Sequence, residues 1–158
     1  IFATKDIPKN IKIIQYIGDK ITKSEGDRRS ALRIRKYLNS EQTGSVYIFE
    51  LNNKYDIDGF VPANKAKFIN HSCNPNCEVD IIRNEIWISS IKKIKKNDEL
   101  SYDYGYSFDK KDFRDHVCKC GSKKCVGFIV TETDWKKLRK FLLKLANNYR
   151  DSFLYFSP

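Results

Sequence analysis

Apolar and polar residues nearly alternate over residues 11–17, Ile-Lys-Ile-Ile-Gln-Tyr-Ile, and that pattern predicts a strand. The turn before it, Ile7-Pro8-Lys9-Asn10, places Asn10 where a positive φ suits an asparagine. The period then changes. Over residues 22–38, Ala31, Leu32, Ile34, Tyr37 and Leu38 lie among Glu25, Arg28, Arg29, Arg33, Arg35 and Lys36, which predicts a short charged helix with Thr22 as its cap. A loop over residues 40–45 follows. Residues 46–51, Val-Tyr-Ile-Phe-Glu-Leu, read as a strand that turns at Asn52-Asn53-Lys54 and returns through residues 55–58. Residues 64–68 predict a short helical turn capped by a side chain upstream. The clearest hairpin pairs residues 79–82 with 85–91 across Arg83-Asn84. Last, Trp135, Leu138, Leu142, Leu145 and Tyr149, widened by Phe141, mark a helical stripe over residues 133–149, with Thr131 and Asp134 spaced as a capping box. So many short strands and so few helices imply a mostly β fold of several small, twisted sheets.

At 158 residues and 41% apolar content, the chain can bury one core and hardly two. Lys plus Arg outnumber Asp plus Glu by 30 to 20, a formal charge of +10 that favours acidic surroundings such as nucleic acid, nucleosomes or an acidic protein face. The plain alternative is a composition generally rich in Lys, Asn and Ile. No apolar run is long enough to predict a membrane span, and residues 1–5 lack a secretory signal pattern. Five cysteines stand at 73, 77, 118, 120 and 125. The Cys-x-Cys-x4-Cys group is a metal signal one ligand short of a closed tetrahedral site. Disulfides are the alternative, but a Cys-x-Cys pair bridges itself poorly and the total is odd, which points to a reducing compartment.

Two stretches end apolar runs in small, amide and phenolic side chains, as strands do when they deliver polar loops to a pocket. One holds Asn70-His71-Ser72-Cys73 followed by Pro75-Asn76-Cys77; the other holds Glu99-Leu100-Ser101-Tyr102-Asp103-Tyr104-Gly105. Together they resemble the paired signature of the SET-domain protein lysine methyltransferases. Tyr16-Ile17-Gly18-Asp19 is similar to that family's Tyr-x-Gly-Glu strand end, and residues 118–125 resemble its zinc-binding post-SET tail. Order and spacing agree over residues 1–132. The family also opens with a Gly-x-Gly turn ahead of a segment like Ile1-Phe2-Ala3; that turn is absent here, and further native residues are expected before Ile1.

The resemblance implies a SET fold with a pseudoknot-like active-site core, a SET catalytic domain over residues 1–110, a zinc-binding tail over 116–130 and a C-terminal amphipathic helix over 131–150. It implies S-adenosylmethionine as methyl donor, S-adenosylhomocysteine as product, and one structural zinc. Asn70 and the backbone beside His71 would hold the donor, with Lys67, where relatives keep Arg, reaching its carboxylate. Phe128 would fold over the adenine or close the channel. Tyr104 would stand beside the transferring methyl, while Tyr16, which also touches the cofactor, and Tyr106 line the channel for the target lysine. Tyr102 occupies the position where Tyr or Phe governs the number of methyls added, which leans toward monomethylation. Tyr47 and Phe49 are candidates for a wall of the peptide groove, and a regular strand would give only one of them to it. Asp103 anchors the local turn. The zinc ligands would be Cys118, Cys120 and Cys125 with Cys73 as the fourth, leaving Cys77 spare.

The leading function is therefore an S-adenosylmethionine-dependent protein lysine N-methyltransferase, acting by in-line displacement onto a neutral amine of a lysine-bearing tail, most often a histone. The alternatives are a catalytically inactive SET-like module that binds chromatin or peptide and, on charge alone, a nucleic-acid-binding zinc protein. The lysines over residues 92–96 and the basic residues Lys136, Lys137, Arg139 and Lys140 are candidates for nonspecific contact with DNA or nucleosomes. A monomer without membrane contact is expected, in nucleus or chromatin for a eukaryotic source, and otherwise in cytoplasm or delivered into a host cell. The C-terminal helix lies beyond the family pattern and is expected to cover the domain's back face, with guarding the groove or pairing two chains as alternatives.

Overall fold

The computed structural model describes residues 1–37 and 47–154, the side chains at 37 and 148–154 excepted. Leu38, the loop over 40–45, the strand start at Val46 and the Tyr149 side chain lie outside the described residues. The chain divides into two compact units, Ile1–Asn70 with Asn76–Tyr102, and His71–Pro75 with Asp103–Pro158.

In the first unit, β1 (Lys12–Tyr16) pairs with β7 (Glu85–Ser90), which pairs with β6 (Cys77–Ile82), all antiparallel. The β6–β7 turn runs through Arg83 and Asn84 at φ of 52° and 62°, the left-handed pair whose twist matches a two-residue hairpin. Ile86 and Ile88 point to one face of β7 and are fully buried, opposite Ile81 and Val79 of β6 and Tyr16 and Ile14 of β1. The period of two seen in the sequence is this burial. Asn10 takes the expected positive φ, at 64°.

A second sheet orders β2 (Asp19–Thr22), β4 (Tyr55–Asp58) and β3 (Ile48–Glu50). Helix α1 (Lys23–Tyr37) starts at the expected cap, where Thr22 Oγ1 accepts the Glu25 amide at 3.3 Å. Asp58, 2% exposed, takes Arg33 in a double hydrogen bond and Arg29 at 2.7 Å, and Lys23 at the start of the helix pairs with the buried Asp56 at 2.7 Å, so the charged helix is fastened to β4 through two buried carboxylates. Those two guanidiniums hold Asp58 at a pKa of about 2 against the opposing effect of burial, which is the largest single influence on it.

The turn at Ala66–Phe68 is a single 3₁₀ turn preceded by Lys65, which makes no side-chain cap. The upstream cap expected from sequence is not formed, because so short a turn closes on its own backbone through Phe68 N–H to Lys65 O and Ile69 N–H to Ala66 O. The chain then enters β5 (Asn70–His71), which forms a two-stranded sheet with β8 (Ser101–Tyr102). The chain passes from the first unit into the second within β5 and again at the end of β8.

The second unit has little regular structure before its C-terminal helix, α2 (Trp135–Leu154). Its core is Phe113, Val130 and Leu138, packed by Phe108, Val126, Phe128, Trp135, Phe141 and Leu142. Of the stripe read from the sequence, Trp135, Leu138, Phe141 and Leu142 enter this core. The capping box is not formed: Thr131 makes no side-chain cap, and the Asp134 carboxylate accepts the Phe108 amide at 3.0 Å and pairs with Lys137 at 2.6 Å. A long-range amide has taken the group a local cap would need, and α2 is entered instead through a 3₁₀ turn over Glu132–Asp134. Among the described residues no helix is long and apolar enough to cross a membrane.

Candidate active site and cysteine centre

In the first unit, β1 delivers Tyr16 to the interior, 4% exposed, where its hydroxyl donates to the Tyr47 carbonyl at 2.8 Å. The approach needs Gly59, since a Cβ there would collide with the edge of the Tyr16 ring, its hydroxyl and the Asn64 amide. Gly18 is required similarly, because a Cβ there would collide with the Asp58 carbonyl. Phe49 meets Tyr16 at a ring separation of 5.3 Å and Tyr102 at 6.2 Å, while Tyr47 stacks instead on Phe60. The two groove-wall candidates thus diverge, and Phe49 is the one beside the tyrosines. Tyr102 itself is 6% exposed.

Asn70 is exposed, and its amide nitrogen donates to a Glu99 carboxylate oxygen at 2.8 Å. Its carboxamide therefore sits at the surface, where a zwitterionic amino-acid group could reach it. Lys67 donates to the Val61 carbonyl at 2.9 Å with its ammonium 5.2–6.0 Å from the rings of Tyr47, Phe60 and Phe68. Asn76 is the residue whose role the sequence did not reveal. Its Nδ2 donates to the Glu99 carbonyl at 2.7 Å and its Oδ1 accepts the Ser101 amide at 2.9 Å, while its own amide donates to the Ser101 carbonyl at 3.2 Å. A side-chain carboxamide has the donor and acceptor of a peptide group, so Asn76 extends the backbone pairing between the two motifs. Its position after Pro75 was the available signal.

In the second unit His71 is buried. Its Nδ1 accepts the Tyr104 amide at 3.2 Å, and the two rings meet edge to face at 5.4 Å. Burial lowers the imidazole pKa, with the Asp103 carboxylate opposing it, so a neutral ring is favoured near neutral pH. Asp103 anchors the turn as expected, accepting the Gly105 amide at 3.0 Å and the Glu132 amide at 3.1 Å. Tyr106 lies between the rings of Tyr104, at 6.2 Å, and His116, at 5.1 Å. Burial raises its phenol pKa. Phe128 packs its ring against Phe113 at 4.8 Å, half-buried in the second unit's core.

The sulfurs of Cys73, Cys118, Cys120 and Cys125 all lie within 4.8 Å of one another, and Cys73 is 3.8 Å from both Cys118 and Cys125. Four thiolates at the Zn–S distance of about 2.3 Å on a tetrahedron stand about 3.8 Å apart. The donor set fits zinc in both chemistry and spacing, and the same separations exclude disulfides. Burial pushes Cys73 up to about 11 and raises Cys118. For Cys120 burial acts the same way but is outweighed by the amides of Cys73 and Ser122 and by neighbouring thiols, which bring it down to about 6. A central cation would replace these shared protons. Cys77 is buried apart from the cluster, its sulfur 3.4 Å from Asn76 Oδ1.

Residues 1–105 match the SET domain family. The chain is similar to the human histone-lysine N-methyltransferase 2D, 34% identical over 129 residues, or 79% of this chain and 2% of that protein. It is 37% identical over 134 residues to the H3 lysine-4 specific histone-lysine N-methyltransferase of Aspergillus oryzae, 82% of this chain and 10% of that protein. To the histone-lysine N-methyltransferase trithorax of Drosophila virilis it is 35% identical over 129 residues, 79% of this chain and 3% of that protein. The chain thus spans a tenth or less of the length of these relatives. With the family match covering both motif segments, and the cysteine centre joining the first motif to the tail, this chain belongs to the SET-domain family and carries a cysteine cluster capable of holding a metal.

Proposed function

We propose that the chain is an S-adenosylmethionine-dependent protein lysine N-methyltransferase whose substrate is a lysine-bearing tail of the histone type. The observation that carries the reading is the Tyr104 loop. The residue that the family resemblance makes catalytic has its amide held by a buried imidazole and is followed by a turn that Asp103 fixes. Such pre-organisation suits a reaction that depends on alignment. S-adenosylmethionine supplies a sulfonium-activated methyl. Transfer of that methyl would leave the carbon–sulfur electron pair on sulfur and needs a free lone pair on the lysine nitrogen, so the lysine has to arrive as a neutral amine, its proton already given to water. The phenols of Tyr16 and Tyr106 exclude water from the lysine stem, which lowers an ammonium pKa. The Tyr104 hydroxyl orients the nitrogen, Asn70 and Lys67 bind the donor's amino-acid end, and Phe128 closes over it. Zinc held by Cys73, Cys118, Cys120 and Cys125 would act structurally.

Tyr104→Phe tests the reading. S-adenosylmethionine affinity should change less than about tenfold, roughly 1.4 kcal/mol, while single-turnover methyl transfer to a histone peptide falls by about 10²-fold or more. A variant that turns over like wild type would place the chemistry elsewhere, and a wild-type protein that binds the donor without transferring methyl would favour the inactive module. The Tyr102 hydroxyl, beside Phe49, is the group that limits the product to one methyl. Tyr102→Phe should leave the first transfer intact and raise the yield of di- and trimethyl-lysine in mass spectra. Efficient trimethylation by the wild type would refute that role.

A further inference from the structure

Beyond its place in the motif, His71 joins two things that the proposed reaction needs separately. A neutral imidazole has one donor and one acceptor nitrogen. The Tyr104 backbone N–H can only donate, and it lies 3.2 Å from Nδ1, so Nδ1 is the acceptor and the ring proton sits on Nε2. Nε2 in turn lies 3.6 Å from the sulfur of Cys73. The other group near Nδ1, Asp103 Oδ1, is 3.7 Å away, beyond hydrogen-bond distance, so it does not claim the ring. The His71 side chain is 3% exposed, which leaves little water to compete for either nitrogen.

We infer that His71 is a positioning residue that suspends the Tyr104 backbone from the metal centre, Nε2–H donating to the Cys73 sulfur while Nδ1 accepts the Tyr104 amide. This rests on the reading of the four cysteines as a zinc site. A thiol sulfur is a weak acceptor, whereas a metal-bound thiolate accepts a charge-assisted bond, so the hold on the ring depends on the ion. Ligand sulfurs supported in this way bind metal more tightly, and loss of such a partner typically weakens affinity by about 10–100-fold. The zinc thereby has a route to the catalytic loop made of two hydrogen bonds and one side chain.

Two conservative variants separate the two bonds in the full chain. His71→Asn keeps an acceptor near the Nδ1 position and loses the donor to sulfur; His71→Gln keeps a donor near Nε2 and loses the acceptor. With zinc loaded, His71→Asn should lose about 10–100-fold in zinc affinity in chelator competition, and with cobalt(II) its thiolate-to-metal absorption band should shift. Its Tyr104 amide should still exchange slowly with solvent. His71→Gln should show the reverse, with near-native metal affinity and spectrum but fast exchange at Tyr104. A merely structural histidine would move both readouts together in both variants, and that result would overturn the inference. The wild type supplies a check that needs no variant: in cadmium-substituted protein, NMR should place the proton on Nε2 and detect its scalar coupling to the metal through sulfur. A proton on Nδ1, or metal uptake with no such coupling and an unchanged His71→Asn, sinks this inference alone. A wild-type chain that takes up no metal sinks the zinc reading and this one with it.

Discussion

The two units hold themselves together by different means. In the first, a central strand, β7, is paired along both edges by β1 and β6, and α1 is tied to its sheet by the buried Asp56 and Asp58. In the second, the chain before α2 is held by four sulfurs, an aromatic core around Phe113 and scattered side-chain hydrogen bonds such as those of Asp103 and Asp134. Repeated backbone pairing shares its stability over many weak bonds. A side-chain cluster concentrates it in a few groups, so the second unit should fail at single points and the first should not.

Metal removal is the strongest way to break the comparison. Structural zinc sites in small domains are associated with apparent binding energies of about 10–16 kcal/mol. Chelation, or Cys125→Ser, should therefore abolish amide protection over residues 103–130 while β6 and β7 keep theirs in hydrogen exchange. Equal loss in both units would refute the difference. A smaller effect is expected from Phe113→Ala, which empties the buried centre of the second unit and should cost about 3–5 kcal/mol in denaturant unfolding. A cost below about 1 kcal/mol would mean that the sulfurs, and not the aromatic core, carry that unit.

The smallest effect sharpens the other side. Asp58 is held at about 2, below its ordinary 3.8, so the folded state binds its proton more weakly than the unfolded chain does. The stabilisation is complete above about pH 4 and disappears as pH falls toward 2. Asp58→Asn should cost about 1.5–3 kcal/mol at neutral pH, the range for hydrogen bonds to charged groups. The difference from wild type should close across that acid window in urea titrations. A difference that is independent of pH would remove Asp58 as a fastening of α1.

The contrast also explains which parts could be read beforehand. The strands, the Arg83-Asn84 hairpin, the positive φ at Asn10 and the Thr22 cap were legible because each depends on residues close in sequence. The capping box at Thr131 was legible and did not form, since the Phe108 amide competes for Asp134 from 26 residues away. The upstream cap on the turn at Ala66–Phe68 was expected from a rule for longer helices. Of the candidate site, the residue types at 70–73, 102–106 and 118–125 were legible through their motifs. The clamp made by Asn76, the need for Gly59 beneath Tyr16, and the two partners of His71 were not, because a carboxamide, a glycine or an imidazole does not disclose which distant group it will meet.

The sequence by itself determined the family, the short alternating strands, the amphipathic face of α2 and the cysteines available to a metal, since these depend on residue identity and period. The family resemblance implied that Cys73 joins the tail; only the tertiary structure decided that the whole segment His71–Pro75 groups with it. The physical reason is that Cys73 finds its partners at a sequence separation of 45 to 52 residues. Such a contact follows from the closure of a long loop, whose entropy cost grows only slowly with length, and so no local pattern had to announce it.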